Sequence, residues 1–199
     1  MSALLRTTRR IALLAAGLSL LAACGGSSTP AAAPPGGSSP TAAAHNTADV
    51  TFATDMIPHH GQAVEMAELA LTQATDAEVK KLATAIKGAQ APEIATMTGW
   101  LTQWGAPVPG SGSGHHMGGM AMTGMMSDDE MASLGAARGT AFDSMWLDMM
   151  TRHHQGAIQM SKTEIAAGQD PQAVALARQI ITAQTAEIAT MATLRARLG

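Results

Sequence analysis

Paired histidines flanked by methionines occur twice in this chain. The two copies lie 94 residues apart and contain Met56, His59, His60 and Met66, then Met150, His153, His154 and Met160. Imidazole nitrogen and thioether sulfur are ligands for copper, whereas magnesium and calcium prefer oxygen. The pattern therefore predicts that the protein binds a soft metal ion, at a site to which both copies contribute.

A further group of candidate ligands lies between the copies, in a glycine-rich linker spanning residues 106–126. It contains His115, His116, Met117, Met120, Met122, Met125 and Met126. Because glycine-rich segments bury little apolar surface, we interpret these methionines as ligands and not as core filler. A mixture of thioether and imidazole suits copper, as Cu(I) or Cu(II), better than zinc. The alternative is a flexible linker whose methionines contact other surfaces.

Both copies belong to a longer internal repeat. Asp49–Gly105 aligns without gaps with Asp143–Gly199, which implies two similar units packed around a pseudo-twofold axis. Apolar residues recur with helical spacing, and no segment alternates with a period of two. Each unit is predicted to be a helical hairpin. Two antiparallel hairpins give an all-α, ferritin-like four-helix bundle over residues 47–199.

Capping residues mark the ends of the predicted helices in the first unit. The first helix is expected to begin after Asn46 or Thr47 and to end near Gln73. The segment Thr75–Glu78 has the pattern of a capping box and would open a second helix that ends near Trp104.

Similar signals mark the second unit. The segment Ser127–Glu130 is a second capping box, and Gly135 and Gly139 are expected to interrupt the helix that follows. The next helix should end near Gly168. Asp170 and Pro171 then supply an N-cap and a first-turn proline for the last helix.

Two glutamates lie within apolar helical stripes. A buried carboxylate without a partner is costly, so Glu93 and Glu187 should each meet a cation or strong donors. Counting outward from the hairpin turns predicts four pairs at one level: His59 with Glu93, Met56 with Met97, His153 with Glu187, and Met150 with Met191. Facing helices of a bundle can build a metal site in this way. Ordinary buried hydrogen bonds and core methionines are the alternative.

The N-terminal residues indicate export. Three arginines precede an apolar run over residues 11–23 that is too short to span a membrane, which is typical of a secretory signal peptide over residues 1–23. The run ends in Leu21-Ala22-Ala23-Cys24, which resembles the lipobox of bacterial lipoproteins and implies a lipidated Cys24. The alternative is plain signal cleavage. Residues 24–46 are rich in Gly, Ser, Pro, Ala and Thr, which predicts a flexible tether.

Composition excludes several classes of function. The chain has 12 Lys+Arg against 15 Asp+Glu, and an acidic chain is a poor nucleic-acid binder. A single cysteine excludes a disulfide framework and a zinc site made of cysteines within one chain. The 15 methionines stand beside only 3 Trp, 2 Phe and no Tyr, so methionine serves either as core filler or for its sulfur.

The paired-histidine segments resemble a known family. Met56–Met66, its copy Met150–Met160 and the segment Met125–Glu130 look like the signature of the bacterial domain-of-unknown-function 305 family. The likeness covers about Thr47–Leu198. The family is similar to ferritin-like bundles, and its better-understood members, the CopM-like group, are exported copper-binding proteins linked to copper tolerance. The resemblance implies copper ligation by the two His-His pairs and by the methionines beside them.

The sequence thus predicts an exported, membrane-anchored copper-binding protein that buffers copper and is not an enzyme. One rival is a ferritin-like di-iron oxidase, which would want a Glu-x-x-His pattern on two helices. Residues 56 and 57, three positions before His59 and His60, are Met and Ile. The second rival is a non-metal module that binds another envelope protein.

Overall fold

The computed structural model describes residues 44–110 and 123–199, which form an all-α bundle of five helices. These are α1 Thr47–Gln73, α2 Ala77–Gln103, α3 Asp128–Ala136, α4 Gly139–Ala167 and α5 Pro171–Leu198. The all-α prediction is confirmed, but the predicted count of four omitted the short α3. Within the described ranges, no helix is long and apolar enough to cross a membrane. The predicted signal peptide, Cys24 and most of the linker lie outside the described residues.

Polar side chains cap four of the five helices. Asn46 and Asp49 form a capping box at the start of α1, and Ser127 with Glu130 forms one at the start of α3. Asp170 caps α5, with a proline in the first turn, as predicted. The predicted capping box at Thr75 is wrong, because Asp76 is the residue that caps α2. Residues 137 and 138 separate α3 from α4, where the glycines indicated an interruption.

Two aspartates join the hairpins to each other. Asp49, at the start of α1, accepts hydrogen bonds from the backbone N–H groups of Gln169 and Asp170 in the α4–α5 turn, at 3.0 and 2.9 Å. Asp143, the repeat equivalent of Asp49, accepts from the backbone N–H groups of Thr75 and Asp76 in the α1–α2 turn, both at 3.0 Å. Each unit therefore binds the turn of the other, which fixes α1 antiparallel to α4. Thr75 is thereby engaged by Asp143 and does not cap α2.

The apolar residues form two clusters related by the repeat. One lies around Phe142 and Trp146, and the other around Phe52 and Trp100. The Trp146 indole N–H donates to the carbonyl oxygen of Met66 at 2.8 Å, which secures α4 against α1 within the first cluster. The hairpins α1–α2 and α4–α5 pack together mainly through α1 and α4. The residues between the two clusters on these helices are therefore enclosed.

A buried glutamate breaks the symmetry of the aspartate contacts. Glu164 of α4 is 1% exposed and lies beside Asp49, whereas the equivalent position in the first unit is the buried Ala70. Burial raises the pKa of Glu164 to about 8, and the hydrogen bond to Asp49 and the charges of Asp49 and Asp170 add to the rise. Because this pKa lies above 7, we expect Glu164 to be protonated at neutral pH, when its carboxyl group can donate a hydrogen bond to the Asp49 carboxylate.

This raised pKa predicts how stability changes with pH. Between the ordinary value of 4.5 and about 8, the folded chain holds a proton on Glu164 that the unfolded chain has lost. The free energy of unfolding should therefore fall as pH rises through this window, by about 1.4 kcal/mol per unit of pKa difference. Glu164→Gln keeps a donor toward Asp49 without titrating, so its stability should decline less from pH 5 to pH 8. Urea unfolding at several pH values measures this.

The matched control for this experiment is Glu65→Gln, because Glu65 is an exposed glutamate of α1. Its stability profile should run parallel to that of the unmodified protein. If the Glu164→Gln profile is also parallel, Glu164 does not hold the extra proton.

Candidate metal centre

Two histidine rings meet where α1 crosses α4. The ring centroids of His59 and His153 lie 3.7 Å apart with an angle of 36° between the planes, and both residues are fully buried. They occupy the same position in the two repeats, so the pair lies on the pseudo-twofold axis. The aspartate contacts at the two ends of these helices hold them in the register that produces this pair.

Each neighbouring histidine contacts a glutamate of its own hairpin. His60 Nε2 and Glu93 Oε2 are 2.7 Å apart, and His154 Nε2 and Glu187 Oε2 are also 2.7 Å apart. The predicted pairing of Glu93 with His59, and of Glu187 with His153, is therefore wrong by one residue. One helical residue turns a side chain by about 100°. His60 consequently faces α2, while His59 faces α4.

The two glutamates are less buried than the sequence indicated. The side chains of Glu93 and Glu187 are 21% and 18% exposed, so water reaches part of each carboxylate. A carboxylate that accepts from one imidazole nitrogen fixes the tautomer and leaves a lone pair on the other nitrogen. That other nitrogen, Nδ1, is buried in both His60 and His154. This is the arrangement by which proteins orient metal-ligating histidines.

Six imidazole nitrogens in this region have no partner with hydrogen-bond geometry among the described residues. They are both ring nitrogens of His59 and of His153, and Nδ1 of His60 and of His154. Leaving a buried polar group without a partner costs about 1–3 kcal/mol. The buried amides of Gln90 and Gln184, which are also repeat equivalents, add further unpaired atoms. A bound cation would satisfy the one lone pair that each neutral imidazole ring carries, so the residues fit a metal.

Burial keeps the central imidazoles neutral. It lowers the pKa of His59 to about 3, and the charges of His60 and His154 lower it further, while a backbone contact from Thr123 opposes the change. Burial likewise places the pKa of His153 well below its ordinary value, with added contributions from His59, His154 and His60. Near neutral pH these rings are unprotonated, and their lone pairs do not have to lose a proton before they bind a metal.

The predicted methionine ligands separate into two groups, one in each apolar cluster. Met56, Met97 and Met160 belong to the cluster around Trp100. Their repeat equivalents, Met150, Met191 and Met66, belong to the cluster around Trp146. Within the described residues, no three His, Cys, Asp or Glu side chains are grouped closely enough to hold a metal by themselves. A core site would therefore use sulfur together with imidazole.

The linker is only partly described. His115, His116, Met117 and Met120 lie outside the described residues, so their role stays a prediction. Met126, however, is 3% exposed and packs in the cluster around Trp146, so the prediction that it lies in an unpacked loop is wrong.

Sequence reasoning also missed Gln62 and Gly156, which hold the end of the linker against α1 and α4. The available signal was a difference between the two repeats, because Gln62 and Gly156 occupy equivalent positions.

The unpaired nitrogens predict that the site lowers the stability of the metal-free protein. His153→Leu removes two buried unpaired polar atoms at similar volume, so the free energy of unfolding without metal should rise by about 1 kcal/mol or more. Phe142→Leu is the control, because Phe142 is also fully buried but loses only apolar contacts and should be destabilised by ~1 kcal/mol. Chemical unfolding in chelator gives both values. Destabilisation of both variants would show that His153 is satisfied in the apo protein.

Comparison with known proteins places this geometry in a family. Residues 49–195 match the family described as domain of unknown function (DUF305). A candidate secreted DUF305 protein from Streptomyces coelicolor is 38% identical, with 76% of this chain and 94% of that chain covered and a TM-score of 0.69. A DUF305 fragment from Deinococcus radiodurans is 30% identical, with 76% and 97% covered and a TM-score of 0.67. No curated protein matches the chain.

A third similar structure carries a metal. CopM in its Cu(II)-bound form is 35% identical, with 76% of this chain and 97% of that chain covered and a TM-score of 0.66. CopM also has Cu(I)-bound and silver-bound forms. The family match spans most of the sequence and nearly all of the bundle. The chain therefore belongs to the DUF305 family.

Proposed function

We propose that this protein is an exported, lipid-anchored copper-binding protein that buffers copper in the cell envelope. The observation that carries the proposal is the set of unpaired, buried imidazole nitrogens between two methionine groups. The similarity to CopM, which binds Cu(I), Cu(II) and silver, supports copper as the metal. The lipobox-like segment ending in Cys24 and the secreted relative support export.

The donor types suggest how copper would be held. Thioether sulfur from Met56, Met97 and their repeat equivalents is a soft ligand that favours Cu(I), whereas imidazole accepts both oxidation states. The contacts from Glu93 and Glu187 would orient the rings of His60 and His154 for metal binding. Enclosure between α1 and α4 would limit the reaction of the bound ion with oxygen and other solutes. The protein would thus bind and sequester copper without a catalytic step.

The same donors argue against iron. Di-iron sites of helical bundles use four carboxylates together with two histidines. Among the described core residues, Glu93 and Glu187 are the only carboxylates that contact the histidines at this level. The other buried acids lie at the turns: Asp49, Glu164 and Asp170 at the α4–α5 turn, and Asp143 at the α1–α2 turn. The arrangement therefore favours copper storage over oxidase chemistry.

The copper proposal predicts that copper bound by the linker and copper bound by the core can be removed separately. Replacing the His and Met residues of 115–122 with Gly and Ser should remove the linker ions only. The replaced stretch stops before residue 123 because Met126 packs in the core. Substituting His59, His60, His153 and His154 by Ala should remove the core ions only. Copper stoichiometry and Cu(I) competition assays measure both, with circular dichroism to verify folding.

Two further variants keep the test decisive if the histidine variant unfolds. Met56→Leu with Met97→Leu preserves core volume, at a cost of less than about 1.5 kcal/mol per site, and should weaken Cu(I) binding more than Cu(II) binding. His45→Ala is the control, since His45 is exposed and stacks on Trp104 away from the core histidines. Unchanged copper binding in every variant would overturn the assignment.

The anchor gives a separate prediction. Cys24→Ser should prevent lipid attachment, so the protein should move from the membrane fraction to the soluble envelope fraction. Labelling with a fatty-acid probe, followed by fractionation, measures this. A Cys24→Ser protein that stays in the membrane fraction would indicate that another segment anchors it.

A further inference from the structure

The end of the linker is held on α1 by a buried glutamine. Gln62 Nε2 donates to the carbonyl oxygen of Met126 at 2.9 Å, and the Met126 backbone N–H donates to Gln62 Oε1 at 2.7 Å. Both groups of the amide are therefore used on one residue of the linker. We call residues 123–126 the strap. Gln62 itself is 4% exposed, so these hydrogen bonds are protected from water.

The strap approaches α4 at a glycine. A Cβ atom at Gly156 would collide with the carbonyl oxygen of Thr123. Gly124 has a φ of +86°, and a Cβ atom there would lie 2.9 Å from both the Arg152 carbonyl oxygen and Gly156 Cα. Glycine at 124 and 156 thus permits the two backbones to touch. Arg152 adds a contact to the Met126 sulfur at 2.7 Å.

Both anchor points lie beside the central histidine pair. Gln62 follows His59 by three residues on α1, and Gly156 follows His153 by three residues on α4. Residues three apart share a helix face. The strap therefore crosses both helices about one turn from the paired rings. The backbone of Thr123 lies close enough to the His59 ring to act on its pKa.

The two anchors occupy one position of the repeat. Residue 62 is Gln and its equivalent, residue 156, is Gly, while the histidines before them are identical in both units. A single strap crosses the twofold axis only in one direction. It therefore requires a hydrogen-bonding side chain on α1 and space for its backbone on α4. The exchange of Gln and Gly supplies both.

We propose that the strap closes the path from solvent to the His59–His153 pair, and that Gln62 and Gly156 are positioning residues that set how fast solutes and soft cations reach it. The inference rests on the proposed function for the identity of the cation, but the closure itself does not require copper. The strap also fixes the C-terminal end of the Met- and His-rich linker beside the core histidines.

The first experiment uses the metal-free protein in chelator. Diethyl pyrocarbonate modifies unprotonated histidine, and peptide mass spectrometry gives a rate for each ring. Gln62→Ala should raise the modification rates of His59 and His153 by about tenfold or more, as expected for the loss of two buried hydrogen bonds. Gly156→Ala should act in the same direction by displacing Thr123. The exposed His45 serves as the internal reference.

The chain supplies matched controls in the neighbouring residues. Gly61→Ala is the counterpart of Gly156→Ala, since a Cβ at Gly61 meets nothing within 4 Å. Gln155→Ala is the counterpart of Gln62→Ala, since Gln155 is exposed. Neither control should change the rates. If diethyl pyrocarbonate modifies His59 and His153 in the Gln62→Ala variant no faster than in the controls, the strap does not close the path.

The second experiment loads the same variants with Cu(I) and measures release to a colorimetric chelator. Gln62→Ala should release copper about tenfold faster with unchanged stoichiometry, because the ligands are intact and only access differs. Release at the unmodified rate would overturn the role of the strap in metal exchange. A core that binds no copper in any form would overturn the proposed function instead, and the modification rates would still decide whether the strap closes the path.

Discussion

The contact between α1 and α4 is the constraint on which the rest of this structure depends. Asp49 and Asp143 each bind backbone N–H groups in the turn of the opposite hairpin. Because the two carboxylates lie at opposite ends of the antiparallel pair, they oppose sliding of one helix along the other. A shift of one residue would turn the central rings by about 100° away from each other. The contact between His59 and His153 therefore depends on hydrogen bonds made far from these rings.

This constraint explains how the bundle tolerates an unfavourable centre. Neutral imidazoles without hydrogen-bond partners are costly to bury. The apolar clusters on either side, which contain two tryptophans and two phenylalanines, supply the stabilisation that offsets it. The apolar clusters thus stabilise the fold, while the histidines between them on the same helices form the candidate metal site. The methionines can serve both purposes, because a thioether packs as an apolar group and also binds soft metals.

Local chemistry made most of the fold predictable. Asn46, Ser127 and Asp170 cap their helices by side-chain hydrogen bonds that depend only on nearby sequence. The pairing of His59 with Glu93 failed because counting from a turn has an error of one residue, and one residue changes the face of a helix. Thr75 failed as a cap for a different reason. Its partner is Asp143, a long-range contact that local sequence does not reveal.

The departures from the repeat carry information that the repeat itself does not. The histidines, the glutamates and the aspartates of the turn contacts are duplicated, because each unit needs them. Gln62 and Gly156 differ because a linker that passes once between the units cannot obey their symmetry. Glu164 stands where the first unit has Ala70, so only one of the two turns has a buried glutamate with a raised pKa beside its aspartate. In a duplicated protein, residues that are identical in both units thus indicate a role that each unit performs. Residues that differ between equivalent positions indicate where a single segment, such as the strap, packs across both units.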